Sequence, residues 1–294
     1  MQSSNTDETI TNRLICGDSR TVIQSLPNNA IDTVVTSPPY WGARDYDTNE
    51  QIGFEESMKR YIEELVSVFT EIKHVMKDSG VVFIVVDDMH QSTAPGTQNA
   101  ESNLNEKTSS SQGTQYRFDS WLKKKSLMGL PERLIVELVD SGWVLRNKIV
   151  WEKPNPLPEP SAVDRFQQSW EPVFMLTPEP QYHFNEEYAT TVDRWEIPTS
   201  SRSTVHPAPL PVELCLKCIE ATTPQDGVVF DPFCGSGSTC IAAERRNKTF
   251  VGVDINEDYL QEAREYLGTE ITDTDSERNV EEGITGQQQL NNFV

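Results

Sequence analysis

The sequence predicts an open, mostly parallel α/β sheet, and three features carry that expectation. Short apolar runs alternate with segments of helical spacing along most of the chain. One run, GVVFIVVDD at 80–88, is apolar almost throughout, as suits a strand covered on both faces. Several expected strands end on distinctive residues: Asp18, Ser37-Pro38-Pro39-Tyr40, Asp231 to Gly237, and Asp254. Strand–helix alternation of this kind builds a parallel sheet. Ligands of such sheets bind at the carboxyl ends of the strands.

The elements follow in order. Residues 1–12 are polar and expected to fray. RLICGD (13–18) reads as a short strand, and SRTVIQSLP (19–27) as a helix capped by Ser19. AIDTVVTSPPYW (30–41) is a second strand, stopped at Pro38-Pro39 because proline cannot donate to a ladder. Tyr61, Leu65, Val68, Ile72, Val75 and Met76 recur at helical spacing within 57–77. After the strand at 80–88 the composition turns to Ser, Thr, Gln, Asn and Gly, which predicts a flexible loop insertion over 90–120. Helix is expected to return over 121–142, with Pro131 near a start, and strands at 143–154 and 170–178 flank a Pro-rich stretch. Residues 179–205 read as irregular and 210–223 as a helix. A strand at 227–233 then enters a glycine-rich turn, followed by a helix (237–246), a strand (249–255) and a helix (256–267). The acidic, Gln/Asn-rich tail 268–294 is expected to be disordered, which leaves one domain over 13–267.

The bulk properties exclude several classes. A chain of 294 residues can bury one large core or two small ones. No apolar run approaches the length of about 18 residues that a membrane helix needs. The first residues show neither a basic start nor an apolar core of a secretory leader. Five scattered cysteines do not resemble a disulfide framework, so a reducing cytoplasm is the expected location. Asp and Glu outnumber Lys and Arg by 46 to 25, a formal charge of −21. That describes either an acidic soluble protein or one adapted to high salt. At molar salt the Debye length is roughly 3 Å. The net charge therefore does not exclude a polyanionic partner, and only local basic residues bear on one.

Two motifs carry chemistry. In FDPFCGSGST (230–239), Gly235 and Gly237 let the backbone approach a ligand, and the next helix offers free N–H groups. Position 240 is Cys, so this is not the dinucleotide fingerprint, and no Gly-Lys pair makes it a phosphate loop. Asp254 closes the next strand, where a carboxylate can accept from the hydroxyls of a ribose. The pair suits a nucleoside cofactor without a pyrophosphate, which points to S-adenosyl-L-methionine; the plain alternative is a structural turn. In TSPPYW (36–41), the two prolines make a stiff turn. Ser37 Oγ and the Pro38 carbonyl can accept from an exocyclic amine, and Tyr40 offers a face to a planar base. The plain alternative is a strand-ending proline turn.

Together TSPPYW and FDPFCGSGST resemble the amino-group DNA methyltransferases, which methylate cytosine N4 or adenine N6. The resemblance extends over roughly 13–88 and 143–267 and includes LICGDS (14–19), KIVWEKPNPLP (148–158) and HPAPLP (206–211). The proline turn precedes the glycine loop, an order similar to the circularly permuted β group. The resemblance implies a permuted, Rossmann-like methyltransferase fold with a seven-stranded, mostly parallel sheet. It implies that Asp231, Phe233, Gly235 and Gly237 form the cofactor loop, that Asp254 holds the ribose, and that Asp18 contacts the adenine. His206 and Pro207 would lie beside the methionine portion, and Ser37, Pro38, Pro39 and Tyr40 would be the catalytic residues around a flipped base. It implies double-stranded DNA as partner, a cognate restriction endonuclease as a further one, and target recognition within 157–205. It leaves the oligomeric state open. Serine before Pro-Pro goes with cytosine N4 in that family; an adenine-N6 enzyme, an RNA guanine-N2 enzyme and a non-catalytic DNA-binding module are the alternatives.

Trp41, Arg44, Lys123, Lys124 and Lys125 are candidate DNA contacts, with a solvated helix face as the plain alternative for the lysines. No metal is expected. Cys215 and Cys218 have zinc-like spacing, but with Leu214 and Ile219 they form an apolar stripe that fits core packing. No Pro-Cys dipeptide of the carbon-5 methylating type occurs, which fits direct transfer without a covalent enzyme intermediate.

Overall fold

The computed structural model describes residues 10–42, 51–91, 122–123, 125–156, 163–200, 208–269 and 271–273. The elements in chain order are β1 (Arg13–Cys16), α1 (Ser19–Ser25), β2 (Ile31–Thr36), α2 (Met58–Val75) and β3 (Met76–Val85). Then come α3 (Leu130–Asp140), β4 (Val144–Glu152), β5 (Trp170–Thr177), β6 (Arg194–Glu196) and α4 (Val212–Thr222). β7 (Val228–Asp231), α5 (Ser238–Arg245), β8 (Thr249–Asp254), α6 (Glu257–Leu267) and β9 (Ile271–Asp273) complete the described chain. The strands form one sheet in the order β6-β4-β5-β3-β2-β7-β8-β1-β9. Among the described strands only β5 runs against its neighbours, pairing antiparallel with β3 and β4.

Helices cover both faces, and the strand period of two decides which residues serve which side. Val34, Val82 and Ile84 pack with α1, α2 and α3. Val35, Val81, Phe83 and Val85 pack with α4, α5 and α6 on the other face. Helix α2 forms because Tyr61, Leu65, Val68, Phe69 and Ile72 recur on one buried stripe, and because the Ser57 side chain caps it by accepting from the Arg60 amide.

Three ties fix β2 in the middle of the sheet. The Asp32 carboxylate, 4% exposed, accepts from Lys77 Nζ at 2.8 Å and from the Val228 amide at 2.8 Å. The Thr223 hydroxyl donates to Thr33 Oγ1 at 2.8 Å. The Thr239 hydroxyl donates to the Val35 carbonyl at 3.0 Å.

Several expectations are corrected. The described sheet has nine strands rather than seven, because the three-residue β6 and β9 add to its two edges. Segments that short (Arg-Trp-Glu and Ile-Thr-Asp) carry no alternation to read. β9, paired with β1, lies in the tail expected to be disordered, and β6 and a 3-10 turn at Glu186–Tyr188 lie in the stretch expected to be irregular. Helix α3 starts at Leu130; the preceding residues pair instead, with His90 bridging Leu127. Helix α1 is capped by Asp18, not Ser19, whose hydroxyl donates to the Pro232 carbonyl. The insertion expected over 90–120 lies outside the described residues except for its first two, as do residues 1–9 and 274–294.

Gly237 sits at φ +78°, and a methyl group there would lie 2.7 Å from the Ala263 Cβ on α6. Gly237→Ala is therefore expected to destabilise the fold by about 1–3 kcal/mol, read as a lower urea midpoint. Adding Ala263→Gly should recover part of that loss, and purely additive changes would contradict the contact.

Candidate functional site

A cavity of about 1040 Å³, counting its solvent-open mouth, lies at the carboxyl ends of β1, β2, β7 and β8. Its wall combines Asp18 and Ser19 after β1, the Ser37–Tyr40 turn after β2, Asp231 and Phe233 to Ser236 after β7, and Asp254 and Ile255 after β8. Segments far apart in sequence meet here because β2, β7, β8 and β1 are successive neighbours and end at the same edge.

Each wall is held by local chemistry. The Asp254 carboxylate accepts from the Gly235 amide at 2.8 Å and from the Asn256 amide at 2.9 Å. The Cys234 amide donates to the Val253 carbonyl at 2.8 Å. These bonds draw the glycine loop over the end of β8, and Gly235, at φ +49°, supplies the left-handed conformation the turn needs. Asp18 accepts from the Arg20 amide at 2.8 Å and from its guanidinium, which also reaches Glu64 on α2 at 3.0 Å. Tyr61 on α2 donates its hydroxyl to the Pro39 carbonyl at 2.8 Å and so fixes the proline turn from behind.

The electrostatics are unusual for so small a space. Burial pushes the Asp231 carboxyl up to about 6, against hydrogen bonds that include the Phe233 amide at 3.1 Å, and the Asp254 charge adds to the rise. Burial likewise lifts the Tyr40 phenol well above its ordinary value, helped by the charges of Glu171 and Asp87 and opposed by a Ser37 hydrogen bond. Ser238, the first residue of α5, is 5% exposed in the cavity wall, and its hydroxyl has no hydrogen-bond partner. An orphaned hydroxyl at a helix N-terminus suits an anionic group of a ligand. The carboxylates of Asp18, Asp231 and Asp254 suit hydroxyls and a cation. This donor and acceptor set fits S-adenosyl-L-methionine, which carries a ribose, a sulfonium and an amino-acid carboxylate.

Of the residues expected from sequence, Asp18, Ser37, Pro38, Pro39, Tyr40, Asp231, Phe233, Gly235 and Asp254 all line the cavity. Gly237 does not; it turns the chain into α5 and packs against α6. Trp41 is corrected from a DNA contact to a core residue. It is 1% exposed, donates to the Glu55 carbonyl at 3.0 Å and stacks on Tyr61. His206, Pro207, Arg44 and Lys124 lie outside the described residues. Lys123 and Lys125 are exposed on a turn rather than a helix, away from the cavity wall, and Lys125 pairs with Asp164.

Sequence reasoning missed Gln51 and Ile52, which carry no local signal. They reach the wall because Gly53 packs on the proline turn, where a methyl at Gly53 would sit 3.1 Å from the Tyr40 carbonyl. Ser236, Ser238 and Thr239 were missed although they sit in the motif itself, where a run of hydroxyls around the glycines was the available signal. Cys215 and Cys218 are fully buried on α4, as the core reading expects, and burial lifts both thiols, Cys215 to about 12.

The strand order and the cavity at the switch in the sheet define the class: a methyltransferase-type α/β domain. Solved structures share the fold. The PvuII DNA methyltransferase (cytosine-N4-specific) superposes with a TM-score of 0.66 at 17% identity, covering 90% of this chain and 95% of that one. A Thermus thermophilus structure complexed with S-adenosyl-L-methionine gives 0.63 at 24% identity, covering 90% and 98%. Residues 31–265 match the N6/N4 DNA methylase family, and the chain belongs to that family. It is 35% identical over 271 residues to the type II methyltransferase M.Cfr9I of Citrobacter freundii, covering 87% of each. It is 34% identical over 269 residues to M.SmaI of Serratia marcescens, covering 87% of this chain and 90% of that one. The protein is a DNA methyltransferase, and its methyl donor is S-adenosyl-L-methionine.

Because folding raises the Asp231 pKa, its contribution to stability is fully present below the unfolded value near 4 and is lost as pH rises through about 6. Asp231→Asn, which does not titrate, should gain on the native protein by up to about 3 kcal/mol over that window. Urea midpoints at a series of pH values measure it, and a flat difference would refute the assignment.

Proposed function

We propose that the protein methylates the exocyclic N4 of cytosine within a short duplex site. One observation carries this reading: the Ser37–Tyr40 turn and the Gly235–Asp254 loop open into a single cavity. An exocyclic amine is a poor nucleophile, because its lone pair is delocalised into the ring. The Ser37 hydroxyl and the Pro38 carbonyl accept its hydrogens, favour a pyramidal nitrogen and aim the lone pair. Tyr40 stacks on the base, and Tyr61 keeps the turn rigid through the Pro39 carbonyl. Asp254 and Asp18 hold the nucleoside of the cofactor, and Ser238 with the N-terminus of α5 holds its carboxylate. S-adenosyl-L-methionine supplies an electrophilic methyl group on a cationic sulfur. The target base has to leave the duplex to reach the cavity, as in other enzymes that act on a base.

Serine rather than aspartate before Pro-Pro supports cytosine, as does the specificity in the PvuII structure's name. The type II designation of the relatives supports a cognate restriction endonuclease. β7, late in the chain yet central in the sheet, supports circular permutation of the domain. We assign target recognition to 157–205 and read the −21 charge as suited to high salt.

DNA methylated by the protein, digested to nucleosides and weighed, should yield N4-methylcytosine; N6-methyladenine alone would transfer the assignment to adenine. The same assay in molar potassium chloride should retain activity, and loss of activity there would end the high-salt reading. Ser37→Ala should cut turnover by about a hundredfold or more, the order of a lost preorganised transition-state contact, with little effect on cofactor affinity. Asp254→Ala should chiefly weaken cofactor binding measured by calorimetry. Equal effects of both variants on binding would overturn the roles.

A further inference from the structure

Residues 163–170 lead into β5 at the edge of the sheet that carries the cavity, because β5 starts where β3 and β4 end. Within this segment Phe166 is 98% exposed. Single exposed apolar residues are ordinary on protein surfaces, but this one stands on a segment tied down on both sides. Asp164, two residues before it, pairs with Lys125. Gln168, two residues after it, donates to Asp87 Oδ1 at 2.5 Å and to the Trp170 carbonyl at 2.9 Å. The Ser169 carbonyl accepts from the Lys153 amide at 2.8 Å, and Lys153 pairs with the buried Glu171. An aromatic ring is thus held out in water, where a looser segment would let it fold back onto the body.

The anchors also place it. Asp87 follows β3, the neighbour of β2, and Glu171 lies at the start of β5, so the groups that hold the segment stand at the sheet end where the Ser37–Tyr40 turn follows β2. The segment therefore stands beside the wall that receives the base. Its neighbours suit a nucleic acid on an otherwise acidic protein. Lys123 and Lys125 are exposed on the adjoining turn, and the half-exposed Trp170 adds a second ring.

We propose that Phe166 is the wedge that enters the base stack and fills the gap left by the extruded target base. The inference rests on the base-extrusion reading above. Extrusion loses stacking on both sides of the target, and an apolar ring inserted at the gap restores contact with the bases that remain. Serving that purpose requires a ring that is exposed, rigidly presented and close to the cavity, and Phe166 meets all three conditions.

The test uses the full chain and a duplex bearing its own site, mapped by sequencing DNA that the protein has methylated. Phe166→Ala should keep the thermal midpoint, since the side chain touches little of the folded protein. On the matched duplex it should lose about tenfold or more in kcat/KM, which is about 1.4 kcal/mol or more, because extrusion there has to break stacking. On a duplex with an abasic site opposite the target, where extrusion is nearly free, it should come within about twofold of the native enzyme. Phe166→Trp should keep activity on both. An equal loss on the two duplexes, or no loss on either, overturns the wedge. A fluorescent base analogue at the target position separates this inference from the reading beneath it. A rise in fluorescence with the native enzyme that Phe166→Ala retains in full overturns the wedge alone, whereas no rise with the native enzyme overturns base extrusion itself.

Discussion

Asp32 is the residue on which the arrangement of this protein turns. Its carboxylate is buried in β2 yet accepts from Lys77 on β3 and from the Val228 amide on β7. A buried charge is costly unless it is paired and hydrogen-bonded. Satisfying Asp32 therefore demands that β3 and β7 flank β2 in one register. That register brings the Ser37–Tyr40 turn beside the glycine loop, although the two lie nearly 200 residues apart (Asp32 and Val228 are separated by 196). The glycine loop and the proline turn are adjacent in the register that satisfies this buried carboxylate.

The cavity follows the same logic on a smaller scale. Asp254 holds the glycine loop through the Gly235 amide, ties its own chain through the Asn256 amide and still lines the wall, so one side chain both shapes the site and presents it. Asp231 stays inside at the cost of a raised pKa, set chiefly by burial and increased by the neighbouring Asp254 charge. Acidic groups converge on the cavity, where Asp18, Asp231 and Asp254 all line the wall.

Much of this was legible where local chemistry leaves few options. A strand ending in Ser-Pro-Pro-Tyr, or a turn of Phe-Cys-Gly-Ser-Gly followed by a strand ending in Asp, admits few conformations, and apart from Gly237 the lining residues read from them were found in the wall. Reading failed where two residues of similar chemistry compete. Asp18 and Ser19 can both cap α1; Asp18 does so because Ser19 is engaged by the Pro232 carbonyl, a partner more than 200 residues away. Trp41 follows the proline turn like a surface aromatic, but its indole finds Glu55 and Tyr61 and turns inward. Gly237 resembles a ligand-facing glycine, yet its missing side chain makes room for Ala263.

The sequence by itself determined the alternation of strands and helices, the buried central strands, and the identity of the two motifs. These depend on residue type, period and turn chemistry, all of them local. Only the tertiary structure decided that the motifs share a cavity, that Gln51 and Ile52 join its wall, and that two further strands extend the sheet at its edges. Those outcomes depend on hydrogen bonds and packing between residues distant in the chain, and no local pattern records which distant partner a buried group will find.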